Sequence, residues 1–307
     1  MDPTTTVTTI PGDGPSIQES SHISPNYSFI FKFEQSFEYR EKREWMQTHW
    51  HEAFYWVAVY MLIVFGGQAY MSNRPPFKLR RTLTLWNLSL ALFSIAGTLR
   101  TVPEMLHVLN NFGFYHTVCN PSYVEVTRVS GFWTWMFALS KVPELGDTIF
   151  IVLRKQNLIF LHWYHHITVL IFTWYTYGQH ISPARWYICM NYLVHSMMYT
   201  YYAARALGFK VPRKLAMVIT SSQIIQMVIG CFVTYYGYSK ATQGVACKLP
   251  VSTAKLGLIM YGSYFVLFAH FFVNTYGIKS NQKEPSSSTT CIKTVNQQSV
   301  KEKAKSQ

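Results

Sequence analysis

Three histidines, His162, His165 and His166, lie within one short stretch of the sequence, Leu161–Thr168. On an α-helix, their spacing of three and one residues places the three imidazoles on one face. The residues on either side are apolar enough to lie in a lipid bilayer, where an ionisable side chain is costly and indicates a function by default. The alternative interpretation is a set of core histidines whose hydrogen bonds hold helices together. Three imidazoles on one face each need partners, which favours a functional site.

Three chemistries fit a buried histidine cluster. The first is metal binding, because His-x-x-His-His is also a box of membrane di-iron enzymes. Those enzymes use several boxes, whereas this sequence has no second one, but a single zinc ion held by the three histidines and Asp147 is chemically feasible. The second is haem ligation by two facing histidines, such as His165 and His195. The third is acyl transfer, because neutral imidazole is a nucleophile near physiological pH and can pass an acyl group on.

Polar residues at a similar depth in neighbouring apolar segments support an interior site. Those residues are Lys141, Glu144, Asp147 and Thr148 in one segment, Asn191, His195, Tyr199 and Tyr202 in a second, and Gln223 and Gln226 in a third. Polar stripes at equal depth in a membrane must face one another rather than lipid. We therefore predict an interior chamber that opens toward the cytosol. For Lys141, Glu144 and the glutamines, a structural hydrogen-bond network is an equal alternative.

Long apolar segments must position these residues. The chain has 307 residues, of which 49% are hydrophobic and 13% charged, a composition typical of a polytopic membrane domain. We predict seven transmembrane helices of about 20 residues or more, near residues 52–72, 83–110, 132–153, 158–178, 184–208, 215–238 and 255–278. The aromatic-rich segment 27–51 is predicted to lie at the membrane interface. The composition of residues 1–26 and 280–307 predicts disorder.

Basic residues in alternate loops predict the orientation in the membrane. They include Arg154, Lys155, Lys210, Arg213 and Lys214. With the Lys-rich carboxy-terminal tail they share one side, which the positive-inside rule makes cytosolic. The net charge is +13, but the basic residues are scattered between the apolar spans and form no single stripe. We therefore predict no nucleic-acid partner.

Several other features agree with this orientation. The amino terminus is predicted to be lumenal, and so is the glycosylation sequon at Asn26. Cys119 and Cys247 fall in two lumenal loops, an oxidising compartment, and we predict that they form a disulfide. The tail contains Lys303 and Lys305 in a K-x-K-x-x ending, which resembles the cytosolic signal that returns proteins to the endoplasmic reticulum.

Four sequence blocks, in this order along the chain, resemble the elongases of very-long-chain fatty acids. The blocks are Lys141–Thr148 (KVPELGDT), Phe160–His166 (FLHWYHH), Asn191–Tyr202 (NYLVHSMMYTYY) and Thr220–Gln226 (TSSQIIQ). The tryptophan and tyrosine between the box histidines are similar to those of a subgroup that acts on saturated and monounsaturated chains. The resemblance implies an all-α fold with seven transmembrane helices in residues 52–279, six of them forming an inverted barrel around an acyl tunnel.

The resemblance also implies an activity in the endoplasmic reticulum membrane. Acyl-CoA and malonyl-CoA are condensed to 3-oxoacyl-CoA, carbon dioxide and CoA, without a metal or other cofactor. His165 is expected to attack the thioester and hold the acyl group, and His195 to assist decarboxylation of malonyl-CoA. The residues expected to orient these imidazoles are His162, His166, Asp147 and Asn191. Spacing alone does not choose between His165 and His166.

Further expectations concern substrates and partners. The basic residues at the cytosolic mouth could hold the phosphates of CoA, although the positive-inside rule alone also explains them. Trp174, Trp186 and Met190 are expected to limit the length of the acyl chain. Membrane lipid, the reductases and dehydratase of the elongation cycle, and a homo- or hetero-oligomer are the expected partners. A metal-dependent lipid desaturase or oxygenase, and a seven-helix transporter or receptor, are the alternatives.

Overall fold

The computed structural model describes residues 24–277, which form helices joined by turns and contain no strand. The α-helices are α1 (Lys32–Gln35), α2 (Tyr39–His49), α3 (Ala53–Met71), α4 (Arg80–Cys119), α5 (Ser122–Glu125), α6 (Arg128–Ser140), α7 (Gly146–Leu153), α8 (Phe160–Gln179), α9 (Ala184–Leu207), α10 (Arg213–Thr242) and α11 (Val251–Phe272). Short 3-10 turns, Trp50–Glu52 and Pro143–Leu145, precede α3 and α7, and a π turn, Val273–Gly277, follows α11.

Each of the seven segments predicted to cross a membrane is helical, but two differ from the prediction. The second segment, α4, continues to Cys119 and contains a kink at Gly113, where φ is 80°. The third segment consists of two helices, α6 and α7, separated by the turn that starts at Pro143. Proline has no N–H to donate and clashes with the preceding helical turn, which favours the break here, although α4 continues through Pro103.

Four helical stretches of the described residues are long and apolar enough to cross a membrane, as in a polytopic membrane protein. They are Tyr39–Met71, Arg80–Cys119, Arg213–Thr242 and Val251–Gly277. The other three predicted spans contain the box histidines and most of the polar residues that we predict to line the interior. α6 and α7 are individually short, and the histidines and tyrosines of α8 and α9 reduce the apolar character of these helices.

The helices α4 and α9 pack against each other in antiparallel orientation. At one end Arg80 donates hydrogen bonds to the carbonyls of the last residues of α9. In the middle, Gly97 lies against the ring of Tyr192. Toward the other end, Glu104 accepts two hydrogen bonds of 3.1 Å from Arg185. A close approach and a buried ion pair therefore hold this helix pair together.

The histidine-bearing helix α8 has neighbours on several sides. Gln47 of α2 donates to the carbonyl of Gly178 at 2.9 Å, and the indole of Trp174 donates to a carbonyl of α6 at 2.9 Å. The Tyr164 hydroxyl lies 3.0 Å from that of Ser263 on α11. The helix α8 is thus enclosed by α2, α6 and α11, which positions its side chains toward the interior.

The described residues from His270 onward form a second, short unit. Within it, Asn274 Nδ2 lies 2.8 Å from Nε2 of His270. The rings of Phe272 and Tyr276 are 5.0 Å apart.

Candidate active site

The three box histidines lie in the first two turns of α8 and make different contacts. His162 Nε2 is 2.9 Å from the hydroxyl of Thr148, which is 2.7 Å from the hydroxyl of Tyr60. His166 is buried, and its ring centroid is 4.6 Å from that of His162 and 5.5 Å from that of His165. The hydroxyl pair from α7 and α3 therefore fixes the orientation of His162, and His162 in turn packs on His166.

His165 is the box histidine that lines the interior cavity. Its ring lies 4.9 Å from the ring of Tyr264. The hydrogen bonds that it accepts from Thr168 and Tyr264 go to its backbone carbonyl and leave the imidazole facing the cavity. A nucleophile needs an open line of approach, and this geometry favours His165 over the buried His166.

A second group of polar side chains surrounds His195 on α9. Lys141 Nζ donates to both carboxylate oxygens of Glu144 at 2.8 and 2.9 Å and to Oδ1 of Asn191 at 3.2 Å. With its oxygen accepting from Lys141, Asn191 presents its amide nitrogen to Nε2 of His195 at 3.2 Å. Nδ1 of His195 then carries the ring proton and lies 4.0 Å from the Glu144 carboxylate. Three residues, from the end of α6, the turn before α7 and α9, thereby fix one imidazole.

Asp147 is held by partners other than the histidines. Its two carboxylate oxygens accept hydrogen bonds from the indole of Trp86 at 2.6 Å and the hydroxyl of Tyr199 at 2.7 Å. No hydrogen bond joins it to a histidine among the described residues. The expectation that Asp147 helps to orient the catalytic imidazoles is thus not supported by a direct hydrogen bond. Instead it links α7 to α4 and α9.

The cavity that His165 lines follows α8, and the cavity together with its opening to solvent spans about 700 Å³ of space unoccupied by protein atoms. Its walls are mostly apolar and aromatic. Its polar lining side chains include Tyr123, Thr134, Thr176, Tyr177, His180, Tyr187, Asn191, Gln226 and Tyr264. Asn191 and His165 lie toward one end, whereas His180, one residue after the end of α8, lies at the other. We call the end at His180 the deep end.

The residues expected to limit chain length do not line this cavity. Trp174 donates to the carbonyl of Ala138, and Trp186 donates to the hydroxyl of Thr117. Met190 is partly buried elsewhere on α9. The expectation that these three residues limit chain length rests on their depth in the membrane alone. Depth does not determine which way a helix is rotated, and the hydrogen bonds of the indoles turn both tryptophans away from the cavity.

The zinc site considered from the sequence is not assembled. Among the described residues, no three histidine, cysteine, aspartate or glutamate side chains are grouped as ligands of one ion. Thr148 occupies one nitrogen of His162, and Asp147 is occupied by Trp86 and Tyr199.

The basic residues expected to hold CoA differ in exposure. Arg154 is half-buried, and Lys155, Lys210, Arg213 and Lys214 are exposed. Lys155 adopts a positive φ of 52° and donates to the carbonyls of Ser72 and Arg74, both at 3.0 Å. Lys155 therefore ties the turn after α7 to the turn after α3, whereas the other four remain candidates for binding phosphate.

The remaining polar residues differ in burial and in whether they line the cavity. Gln226 is buried and lines the cavity, and Gln223 donates to the sulfur of Met198 at 3.4 Å. Tyr202 is 46% exposed, with its ring against Tyr201. It lies in the last two turns of α9, where most neighbouring residues are exposed or half-buried, so the expectation that it faces the interior is not met.

Outside the cavity, the structure describes some of the predicted sites. Cys119 at the end of α4 and Cys247 between α10 and α11 form a disulfide. Asn26 is exposed. Lys303 and Lys305 lie outside the described residues.

Sequence reasoning missed the partners that hold the site. Trp86 and Tyr60 bind Asp147 and Thr148, and Ser140 donates to Glu144 at 2.8 Å. The one signal in the sequence was chemical: a buried tryptophan or tyrosine usually finds an acceptor for its N–H or O–H. That rule indicates a need for a partner without identifying it.

Known proteins resemble this chain over most of its length. The ELO family, described as GNS1/SUR4, matches residues 45–285. A Drosophila melanogaster protein named very long chain fatty acid elongase 6 is 55% identical over 256 residues, covering 83% of this chain and 81% of that protein. Proteins with the same name from Gallus gallus and Homo sapiens are 50% and 48% identical over 246 residues, each covering 80% of this chain and 92% of the relative.

Proposed function

The chain belongs to the ELO (GNS1/SUR4) family, and we propose that it catalyses the condensing step of very-long-chain fatty acid elongation. In this step acyl-CoA and malonyl-CoA give 3-oxoacyl-CoA, carbon dioxide and CoA. The names of the relatives support fatty acid elongation. The observation that carries the condensing step is the position of His165, whose imidazole faces a long, mostly apolar cavity beside Asn191.

In the first half-reaction, a ring nitrogen of His165 attacks the thioester carbonyl of acyl-CoA. The carbon–sulfur bond breaks, CoA leaves as its thiol with the imidazole proton, and the acyl group remains on the ring nitrogen. A neutral imidazole is nucleophilic, and the N-acyl imidazole is reactive enough to transfer its acyl group. The cavity would hold the alkyl chain, with about 0.8 kcal/mol gained for each methylene removed from water.

In the second half-reaction, malonyl-CoA loses carbon dioxide and the electron pair of the broken C–C bond forms an enolate. The enolate carbon attacks the acyl carbon, the bond from that carbon to the His165 nitrogen breaks, and the leaving nitrogen takes up a proton from water to restore the neutral imidazole. Asn191 would donate the second N–H of its amide to the enolate oxygen, and His195, whose Nε2 accepts the first N–H, would hold that amide in place. Fixed donors stabilise such charge better than water does because they need no reorganisation, and the contacts of His195 with Asn191 and Glu144 fix its ring.

The proposed setting is the endoplasmic reticulum membrane. We place all seven predicted spans across it, with the amino terminus lumenal and the carboxy terminus cytosolic, in agreement with the positions of the basic loops. The exposed cations Lys210, Arg213 and Lys214 would bind CoA phosphates at the cytosolic side. The product would pass to reductases and a dehydratase that complete the cycle.

The test uses purified full-length protein with labelled malonyl-CoA and saturated acyl-CoAs from dodecanoyl to octadecanoyl. We expect labelled 3-oxoacyl-CoA and, without malonyl-CoA, a covalent acyl adduct on the peptide that contains His165. His165→Ala should abolish both, and His51→Ala, at an exposed position, should abolish neither. An acyl adduct that persists in His165→Ala would contradict the assignment of the nucleophile. Absence of product from every acyl-CoA with the unaltered protein would contradict the reaction.

A further inference from the structure

The deep end of the cavity carries polar atoms without partners. Within residues 24–277, buried atoms that lack a hydrogen bond include Oγ1 of Thr134, the hydroxyl of Tyr177 and both ring nitrogens of His180. These side chains are only 3%, 6% and 2% exposed, and all three line the cavity. Leaving a buried donor or acceptor unpaired costs its full desolvation energy, so several such atoms lining one cavity indicate a polar occupant.

The deep end is covered from outside by α2 and by the loop before α9. The ring of Tyr39 packs on the imidazole of His180 at a centroid distance of 5.4 Å. Tyr123 also lines the deep end, and its hydroxyl donates to the carbonyl of Ile181 at 3.1 Å. The unpartnered atoms can therefore be reached from the cavity and are shielded from the surface.

The donors and acceptors of the unpartnered side chains determine which chemical group can bind at the deep end. Burial, together with the nearby charges of Arg43 and Lys248, lowers the pKa of His180 to about 3. The ring is neutral, with one nitrogen donating and the other accepting, and the hydroxyls of Tyr177 and Thr134 can do either. A hydroxyl group, which both donates and accepts, matches this set. A carboxylate would only accept, and no lysine or arginine lines the cavity.

The length of the cavity matches a long acyl chain. From His165 to His180 the backbone of α8 rises about 22 Å at about 1.5 Å per residue. An extended alkyl chain built from C–C bonds of about 1.5 Å rises about 1.3 Å per carbon, so a hexadecanoyl chain is roughly 20 Å long. A chain of this length attached near His165 would reach the level of Tyr177 and His180 on α8 and the loop that follows it.

We infer that the deep end is a hydroxyl-binding subsite and that the protein accepts acyl-CoAs whose chain ends in a hydroxyl group, as well as methyl-ended chains. This inference rests on the proposed acyl-CoA condensation and adds a substrate class to it. The terminal oxygen takes the place of a water that would otherwise satisfy Tyr177, Thr134 and His180. It thereby avoids the loss that a polar terminus suffers in an apolar tunnel.

The experiment compares ω-hydroxyhexadecanoyl-CoA with hexadecanoyl-CoA. In the unaltered protein we expect kcat/KM for the two substrates to agree within about tenfold, since the subsite replaces the hydrogen bonds lost from water. Tyr177→Phe and Thr134→Val remove the hydroxyls with little change of shape. Each should lower the ratio of ω-hydroxy to unsubstituted kcat/KM about tenfold, as expected for one lost hydrogen bond. Tyr187→Phe is the matched control, because that cavity-lining hydroxyl already contacts Thr234 at 2.5 Å, and it should leave the ratio unchanged.

A second measurement, of thermal stabilisation by bound substrate, tests the hydroxyl subsite independently of the condensation reaction. Without malonyl-CoA, ω-hydroxyhexadecanoyl-CoA should raise the melting temperature of the unaltered protein at least as much as hexadecanoyl-CoA, and this parity should be lost in Tyr177→Phe. If neither substrate is elongated, the proposed condensation fails and the melting temperatures still decide the subsite. Rejection of the ω-hydroxy chain by about a hundredfold or more, or a ratio unaffected by both variants, would show that the deep end binds only water.

Discussion

Lys141 and Glu144 form an ion pair in which both side chains are at most 5% exposed. Removing two charges from water is expensive, and an apolar pair of similar volume is often as stable. A role in the site explains why the pair is useful here. Lys141 fixes the oxygen of Asn191, and Asn191 then presents its nitrogen to His195. We therefore interpret the pair as a positioning device for the His195 imidazole.

This interpretation predicts different effects on stability and rate. Lys141→Met leaves the Glu144 carboxylate buried without a cation, so the free energy of unfolding should fall by about 3–5 kcal/mol. The double variant Lys141→Met/Glu144→Leu removes both charges and should recover most of that loss. Its condensation rate should remain at least about tenfold reduced, because Asn191 and His195 are no longer oriented. Thermal unfolding in detergent and the labelled malonyl-CoA assay measure the two quantities.

The double variant separates a structural role of the ion pair from a role in positioning His195. A purely structural pair would regain both stability and rate when both charges are removed. Full activity of the double variant would therefore contradict the positioning role. Continued instability of the double variant would show that other contacts of the pair matter, such as the hydrogen bond from Ser140 to Glu144.

For individual residues, the sequence identified the polar side chains of the site better than it identified their hydrogen-bond partners. The spacing of His162, His165 and His166 placed them correctly on one helix. The partner of Asp147 could not be predicted, because Trp86 is 61 residues away on another helix. Periodicity gives the face on which a side chain lies, whereas its hydrogen-bond partner depends on how two helices are rotated against each other.

Between elements, the close contact of α4 and α9 depends on a residue without a side chain. A Cβ atom built on Gly97 would lie 2.3 Å from the Tyr192 ring. That ring is held in place, since its hydroxyl donates to the carbonyl of Trp133 at 2.9 Å. The tyrosine therefore cannot move aside without losing a buried hydrogen bond. Small residues that allow such close packing are typical of helix interfaces in membranes.

Gly97→Ala should accordingly destabilise the protein by about 1–3 kcal/mol through overpacking. Gly66→Ala on α3 is the matched control, because nothing lies within 4 Å of its added Cβ. Alanine favours the helix over glycine, so the control should be neutral or more stable by up to about 1 kcal/mol. Unfolding temperatures of both variants test the contact. Equal stability of the two would mean that the helices separate readily at Gly97.

The order of the helices was predictable, but their ends and breaks were only partly so. Seven apolar segments of the right length indicated helices at the positions where α3, α4 and α8 to α11 occur. The interruption between α6 and α7 follows from Pro143, which the apolar pattern around it obscured. The extension of α4 to Cys119 past a kink at Gly113 was missed, because the pattern there contains polar and aromatic residues without regular spacing.

For the molecule as a whole, the existence of an interior cavity was predictable and its shape was not. Polar stripes on several helices indicated a chamber, and His165, Asn191 and Gln226 do share one. The opposite end, at Tyr177 and His180, was not anticipated. His180 lies just beyond the predicted span 158–178, and the packing of α2 and the loop before α9 helps to bury it. Such burial arises from contacts distant in sequence, which periodicity does not report.

The disulfide between Cys119 and Cys247 closes a loop that contains most of the cavity walls. The two residues are 128 positions apart, and α5 to α10 lie between them. Backbone hydrogen bonds next to it, from Lys248 N to the Cys119 carbonyl and from Ser182 N to the Lys248 carbonyl, join the same loops at 3.0 and 2.9 Å. A cross-link over so long a loop restricts the unfolded chain, so it should stabilise the folded protein by about 2–4 kcal/mol.

Cys119→Ala and Cys247→Ala should therefore each reduce the stability by this amount, and the double variant should lose no more than either single one, because one bond is removed in all three. Cys231→Ala, at a free cysteine, should have little effect. Reductant should lower the melting temperature of the unaltered protein to that of the variants. In protein isolated under oxidising conditions, alkylation should label Cys119 and Cys247 only after reduction. Labelling of either before reduction would show that the bond is absent, and additive losses in the double variant would show that each side chain acts separately.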